Sequence, residues 1–257
     1  MSYSKEHTQI SIIIPCWNEE RTVYHCIKAI STIASEVIIC DDNSDDNSID
    51  RIIQANYEFR TPMTLLLANL RNNPAVRNSM IPCATGDIIV SIDADCCFIA
   101  AKASEFLAEL KNIKPGEFRR FKVINISKDL YHACDGIFSP PDVGLSAFRP
   151  GSAPDMEFYA DKDGFAKFRA PILTYSKGVY AFHFKYNKSQ DRLNKRKVYR
   201  EHIRTGIDID ELCKSKYGNQ NKVINKMNEP ALPIPDEYLK YKIYQEVVEY
   251  VNGLRDL

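Results

Sequence analysis

Apolar and polar positions fall into two alternating rhythms over the first 110 residues of this 257-residue chain. The run Ile10 to Ile14, stopped by Pro15, reads as a parallel strand buried on both faces. Val23, Cys26, Ile27, Ile30 and Ile33 then fall on one face of a helix. Val37 to Cys40 reads as a second buried strand. Ser44 or Asp45 can cap the next helix, whose apolar stripe is Ile49, Ile52, Ile53 and Tyr57. Leu65 to Leu67 and Ile88 to Ile92 supply further strands, and Ala103, Phe106, Leu107 and Leu110 mark another helix. Strand–helix alternation of this kind predicts an α/β fold built from right-handed βαβ units, with a mixed, mainly parallel sheet flanked by helices.

From about Lys114 the pattern changes. Gly, Pro and aromatic residues become common and periodicity fades until Lys188, as expected of strands and long loops that complete the sheet and cover a cleft. Ser189 to Arg204 has a basic helical pattern, and the Pro-rich stretch Glu229 to Tyr238 leads into a last helix through Leu254. The chain thus divides into segments 1–110, 111–187 and 188–257, the last a C-terminal helical extension.

Composition narrows the partners. Hydrophobic residues make up 44% and charged residues 26%, with zero formal net charge. The chain as a whole is therefore not drawn to nucleic acid or anionic membrane, and any such attraction needs a local patch. No segment approaches the roughly 18 apolar residues that cross a bilayer. The first ten residues lack the apolar core of a secretory signal. The eight cysteines are scattered and form no Cys-x-x-Cys pair. A reduced, cytoplasmic setting is the expectation.

Ligands of such sheets bind beyond the carboxyl ends of the strands. Three polar clusters lie there: Asn18-Glu19-Glu20, Asp41-Asp42-Asn43-Ser44 and Asp93-Ala94-Asp95. Two carboxylates one residue apart at a strand end can hold a hard divalent cation, Mg²⁺ or Mn²⁺, which would neutralise a diphosphate. A solvated turn is the plainer reading of the same triplet.

The segments Ser11 to Glu20, Val37 to Ser44, Arg77-Asn78 and Ala84 to Asp95 resemble, in order and spacing, the motifs of family-2-like glycosyltransferases with the GT-A fold. The resemblance covers residues 9–100 and implies a GT-A-like fold and sugar transfer from a nucleoside-diphosphate sugar, UDP-linked, to an acceptor hydroxyl. It implies that Pro15, Asn18 and Glu19 line the nucleotide pocket. Asp41 or Asp42 would then accept a hydrogen bond from the base, and Arg77 would contact the donor. Asp93 would face ribose or metal-bound water and Asp95 would ligate the metal. Where the family has a Gly-rich stretch, this chain has Arg71-Asn72-Asn73-Pro74-Ala75. Segment 1–110 becomes the nucleotide-sugar-binding half, and 111–187 the acceptor side of the same catalytic domain.

In the second half, Gly151 to Phe158 resembles the family's acidic segment, with Pro154 in place of its first Glu. The resemblance makes Asp155 the catalytic base of an inverting reaction, and Glu157 the next choice. An acid-rich helix N-terminus would explain the same residues. His183 matches the family's late histidine, often a third metal ligand, although a histidine between aromatics is more commonly structural. Lys188, Arg192, Arg196, Arg200 and Arg204 recur every fourth residue on one helical face. That face is either simply solvated or meets an anionic partner: a diphosphate, a glycan, a lipid-linked acceptor or nucleic acid. The competing functions are a nucleotidyltransferase, which would usually carry a Gly-rich phosphate loop after its first strand, and a nucleic-acid-binding protein. A hybrid that glycosylates DNA bases combines the readings.

Overall fold

The computed structural model describes residues 8–126, 130–133, 144–161, 166–184 and 232–253. The first half runs β1 (Ile10–Cys16), α1 (Val23–Ile30), β2 (Glu36–Asp41), α2 (Ser48–Glu58), β3 (Met63–Leu67), α3 (Asn73–Met80), β4 (Ile88–Ile92), β5 (Cys96–Phe98) and α4 (Ala103–Lys111). It continues through β6 (Glu117–Asn125), β7 (His132–Ala133), β8 (Leu145–Phe148), β9 (Glu157–Ala160), β10 (Ala166–Arg169) and β11 (Ile172–His183). The described C-terminal part holds β12 (Leu232–Pro233), α5 (Asp236–Leu239) and α6 (Lys242–Gly253).

Among the described residues eight strands form the main sheet, in the order β3-β2-β1-β4-β8-β6-β11-β5. β3, β2, β1 and β4 are parallel, β8 is antiparallel to both its neighbours, β6 and β11 are parallel, and β5 closes the far edge antiparallel. The expected mixed, mainly parallel sheet is what forms.

Alternate residues of the central strands feed opposite faces, which is why these strands are apolar throughout. Ile12, Ile14, Val37, Ile39 and Val90 meet α1, α2 and α4 through Ile27, Ile52 and Phe106. Ile13, Ile38 and Ile89 meet Val76 and Met80 of α3 and Phe158 of the β9–β10 hairpin. A third apolar group, with Ile124, Phe182 and Val247, seats α6. Ordered burial of one such side chain stabilises the fold by about 1.5–3 kcal/mol.

Several local expectations need correction. α2 begins at Ser48, and Ser44 and Asp45 hydrogen-bond to the β1–α1 loop instead of capping it. Its buried stripe is Ser48, Ile52 and Ala55, while Ile53 is exposed and Tyr57 is 92% exposed. α1 stops at Ile30, and Ile33 is buried from the turn that follows. α3 forms where the apolar pattern predicts no helix. It is capped by the Asn72 side chain, which accepts from Ala75 N at 3.3 Å, and it carries Pro74 in its first turn. The basic row Lys188 to Arg204 lies outside the described residues.

β11 is irregular midway, with register shifts between Tyr175 and Val179 and between Val179 and Ala181. Ser176 and Tyr180 both donate to Glu109 Oε1 of α4, at 2.7 and 2.6 Å. A Cβ on Gly178 would lie 2.5 Å from the Tyr180 ring, so the irregularity requires glycine there. β5 pairs, among the described residues, only with Ala181–His183. Among the described residues no strand pairs with the earlier part of β11 on that side.

Candidate active site

The chain turns sharply after β1. Asn18 adopts left-handed backbone, φ 53°, which Asn tolerates better than most residues. Its N–H donates to Ser44 Oγ at 2.8 Å, and its side-chain oxygen accepts from Asp45 N at 2.9 Å. Glu19 is buried, its N–H donates to Ser48 Oγ at 2.6 Å, and its carbonyl accepts the N–H groups of Thr22 and Val23 that open α1. Pro15 is buried within β1, opposite Cys40.

Asp41 ends β2 and Asp42 follows it, and both are buried carboxylates with different partners. Asp41 accepts from the Ser44 N–H at 2.9 Å and hydroxyl at 2.6 Å. Asp42 Oδ1 accepts from Leu70 N at 2.7 Å and Arg71 N at 3.1 Å. The Arg71 side chain returns to the Asp42 carbonyl at 3.0 Å and lies 5.7 Å from the Trp17 ring. Trp17, Asp42 and Arg71 thus meet just beyond the carboxyl ends of β1 and β2.

Asp93 follows β4. Its carboxylate receives Arg77 of α3, a guanidinium only 1% exposed. The same group also donates to Ser91 Oγ and, at 2.8 Å, to Asn73 Oδ1, and it lies 5.4 Å from the Phe158 ring. A buried cation with this many partners is satisfied. Arg77 is therefore directed at Asp93 from behind the site.

Asp95, 2% exposed, stands beside His183, with 3.3 Å between Asp95 Oδ1 and His183 Nε2. Phe184 N donates to the Asp95 carbonyl at 2.8 Å, which ties the end of β11 to this turn. His183 lies opposite Asn125 of β6 and opposite Cys96 of β5. Ligand atoms of Asp93, Asp95, Cys96 and His183 lie within 4.8 Å of one another. Burial, and then the charges of Asp95 and Asp93, push the Cys96 thiol well above its ordinary value. The available donors are therefore two carboxylates and an imidazole, a set suited to Mn²⁺ and, less well, to Mg²⁺. His183 Nε2 is buried without a hydrogen-bond partner, so the residues present fit a divalent cation.

Asp155 and Glu157 are not among the groups that converge with Asp93, Asp95 and His183. Asp155 is exposed in a turn, φ 61°, and Glu157 opens β9 with an ion pair to Arg169 at 2.9 Å; the segment is turn and strand rather than a helix N-terminus. β9 is nonetheless fastened to α3. Asn78 exchanges two hydrogen bonds with the Phe158 backbone, at 2.8 and 2.9 Å, beside Arg77. Sequence reasoning missed Asn125, Ser91 and Phe158 as neighbours of the site. The cap Asn72 and Pro74 were the signals that would have found α3 and the inward aim of Arg77.

The Glycosyl transferase family 2 profile matches residues 11–143, just over half of the chain. A UDP-Glc:alpha-D-GlcNAc-diphosphoundecaprenol beta-1,3-glucosyltransferase of Escherichia coli is 30% identical over 122 residues, 45% of this chain and 47% of that one. An undecaprenyl-phosphate 4-deoxy-4-formamido-L-arabinose transferase of Yersinia enterocolitica is 31% identical over 105 residues, 37% of this chain and 31% of that one. The match therefore spans less than half the length of either relative. The crystal structure of S. aureus TarS 1-349 in complex with UDP-GlcNAc shares the fold, with TM-score 0.51 and 13% identity over 79% of this chain and 69% of that one. With the profile covering β1 through β5 and every carboxylate discussed up to Asp95, this chain belongs to the Glycosyl transferase family 2.

Proposed function

We propose that this chain transfers a sugar from a UDP-linked donor to a hydroxyl of a lipid-linked acceptor, with inversion and with a divalent cation, Mn²⁺ or Mg²⁺. The observation that carries the reading is the convergence of Asp93, Asp95 and His183 at the strand ends of a family 2 fold. The two curated relatives support the donor and acceptor classes: one name specifies UDP-Glc, and both specify undecaprenyl-linked compounds.

In this reading Asp95, Asp93 and His183 hold the cation. When bound, it offsets the negative charge that develops on the departing nucleoside diphosphate. Arg77 keeps the Asp93 carboxylate oriented, so little reorganisation is needed as donor arrives. Pro15, Asn18 and Glu19 shape the loop that receives the nucleotide, and Asp42, Trp17 and Arg71 offer an acceptor and stacked surfaces to the base. Asp155 takes the proton of the acceptor hydroxyl as that oxygen attacks the anomeric carbon. Glu157 is the weaker choice because Arg169 already engages it.

The test is direct. Asp95→Ala should fold and lose Mn²⁺-stimulated UDP binding in calorimetry, and unchanged affinity would remove the cation from the reading. Asp155→Asn should keep donor affinity and slow transfer by about 10²-fold or more. UDP release stimulated by lipid-linked glycan supports the acceptor class, whereas stimulation by DNA alone would replace it.

A further inference from the structure

We propose that Asn125 is a positioning residue that decides which nitrogen of His183 faces the cation. The proposal rests on the cation reading above and concerns two side chains that no sequence motif connects.

β6 and β11 run parallel, and their last residues, Asn125 and His183, sit in register. Both are buried, and Asn125 Oδ1 lies 2.8 Å from His183 Nδ1. A carbonyl oxygen can only accept, so Nδ1 carries the proton in this pairing. In the neutral ring Nε2 then presents a lone pair. That atom is buried, has no hydrogen-bond partner, and lies 3.3 Å from Asp95 Oδ1. A lone pair and a carboxylate oxygen at that separation repel each other, and a cation shared by both turns repulsion into coordination.

The opposite amide orientation gives a different molecule. With the Asn125 amide nitrogen toward Nδ1, the ring proton would move to Nε2 and hydrogen-bond to Asp95. His183 would then be a structural residue, closed to metal. The choice between ligand and brace therefore lies in one neutral amide on a neighbouring strand. Its counterpart across the site is Arg77, which braces Asp93 from behind with a charge. A nitrogen donor also favours Mn²⁺ over Mg²⁺.

The experiment uses the full chain loaded with Mn²⁺. Calorimetry gives the affinity for Mn²⁺, pulsed electron paramagnetic resonance reports ¹⁴N coupling from a coordinated imidazole, and thermal melts report folding. The wild-type protein should show the ¹⁴N coupling, and His183→Ala should lose it. Asn125→Asp keeps an oxygen that accepts from Nδ1 and should retain both coupling and affinity. Asn125→Leu should lose the coupling and weaken Mn²⁺ binding about 10–100-fold, with Mg²⁺ binding changed less. Asn125→Ala serves the same purpose if the leucine variant does not fold. Bound Mn²⁺ without ¹⁴N coupling in the wild type overturns the proposal, as does a folded Asn125→Leu or Asn125→Ala protein with both readouts intact. Absence of sugar transfer from any UDP-sugar, with the coupling present, would strike the functional reading and leave this assignment standing.

Discussion

The two wings of the sheet are held by different kinds of side chain. In the β3-β2-β1-β4 wing the interior is aliphatic, with Ile12, Ile14, Val37, Ile39, Ile88 and Val90 packed under short helices that directly follow their strands. In the β8-β6-β11 wing it is aromatic. Phe118, Phe148, Phe158 and Phe168 come from four separate strands and meet on one face, with Phe118 and Phe168 stacked at 4.2 Å. On the other face Phe106, Phe121 and Tyr180 make a second ring cluster. Local βαβ units can be secured by many small contributions. Strands gathered from distant parts of the chain rely on a few large rings, each burying much more area. The aromatic wing should therefore be the more sensitive to a single substitution.

The largest expected effect tests that contrast. Phe118→Ala should destabilise the protein by about 3–5 kcal/mol, against about 0.5–1.5 kcal/mol for Ile39→Val. Urea denaturation measures both, and hydrogen exchange should show the β9–β10 hairpin losing protection in the first variant. A loss from Phe118→Ala no larger than that from Ile39→Val would erase the distinction between the wings.

A medium effect sharpens it at the seam where the C-terminal helix meets the first wing. His25 of α1 is buried against Tyr250 of α6, and burial pushes its imidazole down to about 4, with nearby Lys28 and Arg51 acting in the same direction and Glu246 against it. The unfolded histidine titrates at about 6.5. Stability from this site is therefore complete above that pH. It declines as pH falls toward the folded value, because the unfolded chain takes a proton that the folded chain refuses. The decline amounts to at most about 3 kcal/mol. Melting curves from pH 7.5 to 4.5 should show His25→Phe losing less stability than wild type, and parallel curves would refute the account.

The smallest effect is a control on α2. Tyr57 is 92% exposed, so Tyr57→Ser should change stability by less than about 0.5 kcal/mol. A larger loss by urea denaturation would mean that this face is covered.

The same contrast governs what could be read in advance. Ile10 to Ile14, Val37 to Cys40 and Ile88 to Ile92 announce themselves because strands buried on both faces need continuous apolar runs. The carboxylates Asp93 and Asp95 follow one of them directly. The stripe through Ile53 and Tyr57 misled because helical spacing does not reveal how much of a helix its neighbours cover. α3 was hidden by low apolar content, although Asn72 and Pro74 mark its start. Asn125 was beyond reach, since its meaning depends on the register of β6 with β11, a pairing between residues 58 apart. Asp155 and Glu157 follow from the resemblance of Gly151 to Phe158 to the family's acidic segment, yet their surroundings depend on how β9 is fastened to Asn78.

The irregular middle of β11 has a bearing on how copies of this protein coexist at high concentration. Ile172, Leu173 and Tyr175 are exposed on a strand whose outer side is not paired among the described residues. Left flat, such an edge would be a template for another chain's backbone. The kink after Tyr175 breaks the ladder within a few residues, exposed Lys177 sits on it, and Pro171 precedes the strand without an N–H to offer. The side chains that anchor this kink to Glu109 therefore also limit intermolecular strand addition, and with it the growth of aggregates.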